Sequence, residues 1–394
     1  MRKTFPQERP RWPILPAGIL FVWIGSFAGP DRALAQTIVE NPAKPKAANA
    51  GRVVVPEEVL TISDEGTSDY YFKNGPRGLT AAPDGSLLCR DMDQILRFDK
   101  DGKFGHNFFK KGQGPGEVTY VGACLATDKN IIVHSTYPNK LIFFDYSGRY
   151  ERVIPIPPLP GSRRAQARIL LAQPGIFYLQ AKDSPEFKAV ADFVDVPNCI
   201  LALDEATGEL TSLETFSTKA YTLASQGGGG GSYDITDFIA VAFKVKLLAL
   251  AHTSEYLLKI FDPVGNKIIR EFRRTYKRVK PEPLTDEQKR GGVLIGNKPF
   301  GPPEQKYQND VRNILTRGDE IWAATSTQDK VKGILIDVFD GEGVYRDCFW
   351  LKLPEAAIKS ILSPGSCTLD GDFLWVVERS EDETFAIKKY RVGK

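Results

Sequence analysis

Histidine is nearly missing from this chain, which has three in 394 residues: His106, His134 and His252. Cysteine is sparse as well, with five residues (Cys89, Cys124, Cys199, Cys348 and Cys367) and no C-x-x-C pair. These scarcities argue against a zinc site or a cysteine nucleophile, and no metal or other cofactor is expected. Each cysteine sits in an apolar, strand-like stretch and reads as buried structural cysteine. In an oxidising compartment an odd count leaves at least one thiol free or intermolecular. No G-x-S-x-G occurs, which argues against a fused α/β-hydrolase. A charge excess is also lacking. The formal +3 originates in the first 35 residues, where Arg2, Lys3, Arg9, Arg11 and Arg32 face only Glu8 and Asp31; the remainder holds 47 basic and 47 acidic residues. A neutral body gives no electrostatic case for nucleic acid.

Long apolar runs are absent except one. "ILPAGILFVWIGSFAG" follows a basic start and precedes "ALAQ", whose Ala33 and Ala35 suit cleavage before Gln36. The run is short for a membrane span and Pro16 interrupts it. Residues 1–35 therefore read as a signal peptide, and the protein is expected in the periplasm or outside the cell. Membrane association is expected only if the segment stays uncleaved. No cysteine precedes Cys89, so lipidation of a mature N-terminal cysteine is excluded. Residues 36–50, "QTIVENPAKPKAANA", are rich in Ala, Pro, Lys and Asn and read as a flexible linker.

From Gly51 onward short β-rich runs alternate with Gly and Asp turns. Six of them align: "DGSLLCRD" from Asp84, "DKNIIVHS" from Asp128, "QPGIFYLQ" from Gln173, "KVKLLALAH" from Lys244, "GDEIWAAT" from Gly318 and "GDFLWVVE" from Gly371. Leu88, Ile132, Phe177, Leu248, Trp322 and Trp375 hold one shared position. Five copies are followed by a strand running into Asp and then Gly, as in "ILRFDKDG" and "LIFFDYSG", the chemistry of a tight hairpin. The sixth, "FAIKKYRV", ends the chain without that turn, while "GRVVVPEEVLTI" (51–62) is a strand-like run with no cassette of its own. The pattern predicts an all-β fold over residues 51–394. The expected architecture is a six-bladed β-propeller of four-stranded antiparallel blades, with the N-terminal run supplying the last blade's outer strand. Radial stacking would bury both faces of each sheet, which suits strands that are apolar on both sides. A β-sandwich, or two smaller β domains, predicts no unit repeated six times.

"KKGQGPGEVTY" (110–120) looks at first like a phosphate loop. Its lysines precede the glycines and no helix follows, so that reading fails. It lies instead where an outer strand must turn inward to the next blade. Gly112, Gly114 and Gly116 are expected to allow positive φ, Pro115 to fix the bend, and Glu117 to accept hydrogen bonds from loop amides. "KGQGPGE", placed after "FDKDGKF" and with "DGSLLCRDMDQILRFD" upstream, resembles the exported bacterial six-bladed β-propellers related to NHL-repeat and TolB-like propellers. In that family an aromatic usually follows the motif; here Val118 stands there. The resemblance covers roughly residues 51–394 and implies the fold, without naming an activity.

In a propeller, inner-strand turns and Asp-Gly hairpins share one face, and second-to-third-strand loops share the other with the blade-to-blade crossings. Every long insertion here is a crossing: "KKGQGPGEVTYV", "IPIPPLPGSRRA", "FSTKAYTLASQGGGGGSYD" and the stretch from Arg273 to Asp310. Binding is therefore expected on the crossing face. The basic 273–310 insertion, with a short helix expected over "LTDEQKR" and Thr285 as its N-cap, reads either as a lid towards an anionic ligand or as a loop packed over the sheets. "QGGGGGS" reads as a hinge, and the prolines of "PIPPLP" as blocks to strand pairing. His134 and His252 sit near the ends of second strands and either face each other across the channel mouth or are buried. The rim candidates are Tyr137, Asn139, Lys140, Gln328, Lys330, Arg379 and Glu381. Together these features point to a binding or scaffold module for a glycan, peptide or envelope protein. The alternative is a lyase or hydrolase centred on the channel mouth.

Overall fold

A computed structural model describes residues 38–159, 166–225, 230–287, 293–295 and 298–393. The signal-like segment lies outside the described residues. Three N-terminal strands come first: β1 (Val39–Asn41), β2 (Arg52–Val54) and β3 (Glu57–Ser63). The first sheet holds β4 (Arg77–Ala81), β5 (Leu87–Asp91), β6 (Gln94–Phe98) and β7 (Phe104–Asn107). The second holds β8 (Val121–Ala126), β9 (Ile131–Thr136), β10 (Asn139–Phe144) and β11 (Tyr150–Pro155). The third has five strands: β12 (Gln166–Gln173), β13 (Ile176–Lys182), β14 (Asp192–Asp204), β15 (Leu210–Ala224) and β16 (Gly230–Asp234). The fourth is built on β17 (Phe238–Phe243), β18 (Leu247–His252), β19 (Leu257–Asp262) and β20 (Lys267–Arg274).

A two-stranded ribbon, β21 (Val293–Ile295) and β22 (Lys298–Phe300), precedes the fifth sheet of β23 (Val311–Arg317), β24 (Glu320–Asp329), β25 (Gly333–Asp340) and β26 (Tyr345–Leu351). Helix α1 (Glu355–Ile361) then leads to the sixth, with β27 (Cys367–Asp370), β28 (Phe373–Arg379) and β29 (Phe385–Arg391). Successive strands within each sheet pair antiparallel. First strands touch in cyclic order: β4 with β8, β8 with β12, β12 with β17, β17 with β23, β23 with β27, and β27 with β4. The molecule is all-β and propeller-like.

Packing explains the composition of the strands. Six apolar clusters lie one between each pair of neighbouring sheets, the last joining the sixth sheet to the first through Ile62, Leu87, Leu96, Trp375 and Ile387. A strand that faces two such clusters buries consecutive residues, so Ile131 to Ser135 of β9 are all buried. The six residues that share one cassette position, Leu88, Ile132, Phe177, Leu248, Trp322 and Trp375, are all buried.

The N-terminal segment behaves differently from the expectation at two points. Residues 36–50 do not form only a linker: β1 adds in parallel to β20, with Val39 opposite Phe272. Asn41 anchors it, donating to the carbonyls of Arg273 (3.1 Å) and Gly343 (2.9 Å) and accepting from the Tyr345 N–H (2.9 Å). The run 51–62 is not one strand either. β2 adds to β26 of the fifth sheet, and β3 pairs antiparallel with β29 of the sixth, Ile62 opposite Ile387. Pro56 stands between them; lacking an N–H and fixed in φ, it suits the step from one sheet edge to the next.

Between the fourth and fifth sheets a buried ionic cage locks the stack. Arg274 binds Asp337 through Nε (2.8 Å) and Nη2 (2.6 Å), and the hydroxyls of Tyr345 (2.6 Å) and Tyr256 donate to the same carboxylate. Burial opposes the guanidinium charge, but the adjoining carboxylate outweighs it and raises the Arg274 pKa. Every acceptor in the cage is used, the condition under which buried charge is tolerated.

Candidate functional site

The β5–β6, β9–β10, β13–β14, β18–β19, β24–β25 and β28–β29 loops lie at the same strand ends as the crossings. At those ends a cavity of about 450 Å³ opens among the first strands of the sheets. Its polar lining is Arg90 from β5, Arg168 from β12, Gln180 and Lys182 from β13, Thr136 from β9 and Asp237 just before β17. Arg90 and Pro364 also border a second cavity, a groove of about 1250 Å³ between the first and sixth sheets that carries Arg77, Lys359, Arg379 and Glu381.

The two arginines of the mouth are held differently. Arg168 donates from Nε and Nη2 to the Gln180 side-chain oxygen (3.1 and 2.8 Å) and from Nη2 to the Ala240 carbonyl (3.1 Å). Gln180 is itself fixed by donating to the Phe238 carbonyl (3.1 Å). Arg90 donates to the Val121 carbonyl (3.3 Å), and its buried Nε has no acceptor. Burial pulls both guanidinium pKa values down; at Arg90 the Cys124 sulfur opposes this and the charge of Arg77 adds to it. Lys182 differs, being paired with Asp234 (3.0 Å) and Asp237 (3.5 Å).

The rim candidates are dispersed. Arg379 and Glu381 line the large groove, with Arg379 paired to Glu383 (2.8 Å). Tyr137 in the β9–β10 loop, Gln328 near the end of β24 and Lys330 in the β24–β25 loop are exposed and line neither cavity. Asn139 accepts or shares a hydrogen bond with His134 Nε2 (2.8 Å). Lys140 is not a rim residue: it is buried and its ammonium donates to the carbonyls of Gln113 (3.2 Å) and Gly114 (2.6 Å). A lysine between "YPN" and an apolar strand looks solvated in sequence, but here the neighbouring glycine loop folds back over it.

That loop is a structural turn in which Glu117 is central. The Glu117 carboxylate accepts from the Gly114 N–H (3.1 Å) and pairs with Lys110 (3.2 Å); these contacts, the amide first, lower its pKa. Of the three glycines only Gly112 has positive φ, at 154°. The others are needed for close approach, because a Cβ on Gly114 would lie 3.0 Å from Glu117 Oε2 and one on Gly116 would lie 3.3 Å from Tyr150. Pro115 is exposed at the bend. Val118 is fully buried between the first and second sheets, filling the place of the expected aromatic.

The histidines do not meet across the mouth. His134 is buried, with burial lowering its pKa, and His252 packs edge-on against Phe238. Neither lines the cavity. Phe300 of β22, within the 273–310 insertion, packs on the third sheet. Phe300 stacks on Tyr221 (5.5 Å between centroids), and the Tyr233 hydroxyl donates to the Phe300 carbonyl (3.2 Å). The expected helix over 284–290 falls partly outside the described residues. Of the expected hinge "QGGGGGS", residues 226–229 lie outside the described residues; Gly230 and Gly231 pair with Ala224 and Leu223 as strand, where a Cβ would strike the Leu223 carbonyl (2.2 Å) and Phe300 (2.8 Å).

Among the described residues no three His, Cys, Asp or Glu converge as a metal site, and no helix is long and apolar enough to cross a membrane. The sequence reading missed Arg90, Arg168 and Lys182. A signal existed for Arg168 alone: "PRGLTA", "ARILLA" and "VRNILT" each place an arginine (Arg77, Arg168 and Arg312) at the start of a first strand.

No protein-family model matches the chain, and no curated protein does. Solved structures do. A Bacteroides fragilis protein described as a candidate exported protein is 12% identical, with 91% of this chain and 100% of that one covered, at a TM-score of 0.50. Raptor of Chaetomium thermophilum is 11% identical over 88% of this chain and 30% of its own, at a TM-score of 0.41. Myxococcus xanthus glutaminyl cyclase is 9% identical over 87% of this chain and 100% of its own, at a TM-score of 0.32. At such identity the first likeness concerns the fold alone, and the two weaker ones carry no argument.

Proposed function

We propose that this chain is an exported six-bladed β-propeller, closed by β3, that acts as a binding module through its crossing face. The observation that carries the reading is the cavity at the shared strand ends, which shares Arg90 and Pro364 with the groove between the first and sixth sheets. A concave site with a few fixed polar groups on a rigid scaffold is how such folds hold ligands. The lining sets Arg90, Arg168, Lys182 and Gln180 among apolar residues, the chemistry of recognition. A glycan or peptide reaching into the mouth would also meet Arg379 and Glu381 along the groove, and Tyr137, Gln328 and Lys330 at the outer rim. The basic leader with its "ALAQ" site supports export, with the mature chain starting at Gln36.

The test is a thermal-shift screen of residues 36–394 against glycans and peptides, followed by hydrogen exchange on any hit. Slowed exchange at 91–94, 136–139 and 379–385 is expected. Protection confined to the Asp-Gly hairpins, or chemical turnover of the hit, would overturn the binding reading.

A further inference from the structure

We propose that the channel mouth binds a small monocarboxylate between the guanidinium groups of Arg90 and Arg168. This rests on the crossing-face reading for its location and adds the ligand's chemistry. A volume of about 450 Å³ suits a ligand the size of a sugar acid or an acylated amino acid. Arg90 and Arg168 reach the cavity from the first and third sheets, and among the described residues neither forms an ion pair. Burying part of a guanidinium without a counter-ion is costly: Arg90 has none, and at Arg168 the charge of Asp237 offsets part of that cost. Among the described residues, Nη2 of Arg90 and Nη1 of Arg168 carry no hydrogen bond and are donors that a carboxylate would satisfy.

Charge and shape narrow the ligand. Lys182 is already paired with Asp234 and Asp237, and Asp237 lies on the cavity wall. A phosphate dianion seated between the arginines meets that carboxylate with more like charge than a monocarboxylate does. The planar edge of a guanidinium matches the two oxygens of a carboxylate, which a lysine does not reproduce. Gln180, locked to Phe238, holds Arg168 in place before any ligand arrives.

Calorimetric titration of residues 36–394 with D-glucuronate, L-lactate and N-acetylglycine tests the proposal, with D-glucose and inorganic phosphate as comparisons. At least one monocarboxylate should bind more tightly than phosphate, and D-glucose should give no signal. Arg90→Gln and Arg168→Gln should each weaken that binding by about tenfold or more. Arg90→Lys, which keeps the charge but loses the fork, should fall between. Melting of the unliganded variants checks their fold, and Arg90→Lys remains informative should a glutamine variant fail. Silence from all three carboxylates, tighter binding of phosphate, equal binding of D-glucose, or unchanged affinity in the folded arginine variants would overturn the assignment. A neutral ligand bound at the same strand ends would sink the carboxylate while sparing the crossing-face reading. Protection confined to the hairpin face would sink that reading instead.

Discussion

Gly112 shows how one position can be fixed by a partner as well as by its own backbone, whose φ is 154°. A Cβ there would lie 2.0 Å from Glu117 Oε2, the oxygen that accepts from the Gly114 N–H. Either the carboxylate leaves its amide or the loop opens, and Lys140 then loses the carbonyls that take up its charge. Gly112→Ala should therefore destabilise the protein by about 1–3 kcal/mol. Adding Glu117→Ser, which removes the obstructing group, should make the combined loss smaller than the sum of the two single losses. Urea melts of the four proteins measure this, and simple additivity would refute the contact as the cause. Arginine illustrates the reverse case. Arg90 follows three fully buried residues in β5, and nothing in "LLCRD" alone says whether its charge turns to solvent or into a cavity.

The repeated element is the hairpin between third and fourth strands, whose aspartate works as a cap. Asp99 accepts from the amides of Asp101 and Lys103, Asp145 from Ser147 and Arg149, and Asp204 from Ala206 and Thr207. Asp262 accepts from Val264 and Gly265, and Asp340 from Glu342 and Val344. At Asp145 the Ser147 hydroxyl leads these contacts and brings the pKa down to about 2 from an ordinary 3.8. The sign follows by linkage. The folded carboxylate holds its proton less tightly than the unfolded one, so its contribution is present above pH 3.8 and is lost as pH falls towards about 2. Asp145→Asn should flatten the fall in stability across that window, as measured by urea midpoints at stepped pH. An unchanged slope would refute the cap's role in acid sensitivity.

At the scale of the whole molecule, the N-terminal segment laces three successive sheets: β1 on the fourth, β2 on the fifth and β3 on the sixth. Only β3 completes a four-stranded sheet, and its Ile62 joins the cluster between the sixth and first sheets. The three losses therefore differ in kind. A chain starting at Gly51 lacks β1 and should still melt cooperatively, at a lower temperature. A chain starting at Asp64 also lacks β2 and β3 and should lose the cooperative transition, because the cluster between the sixth and first sheets then loses Leu60 and Ile62. Circular-dichroism melts separate the two, and a normal transition in the shorter chain would refute β3 as the fastening strand.

The strand repeat, the hairpin aspartates and the extra N-terminal strand were all legible in sequence, because each depends on local periodicity or turn chemistry that a few adjacent residues carry. The expectation that the long insertions share one strand end had the same origin, since alternation along consecutive strands is a property of chain order. Tertiary structure decided what lies far apart in sequence. It set Lys140 under the glycine loop, separated His134 from His252, split 51–62 between two sheets, and brought Arg90 and Arg168 to one cavity. Such meetings depend on how sheets pack around a common centre, and the buried or exposed fate of a charge is settled only by the groups that packing places beside it.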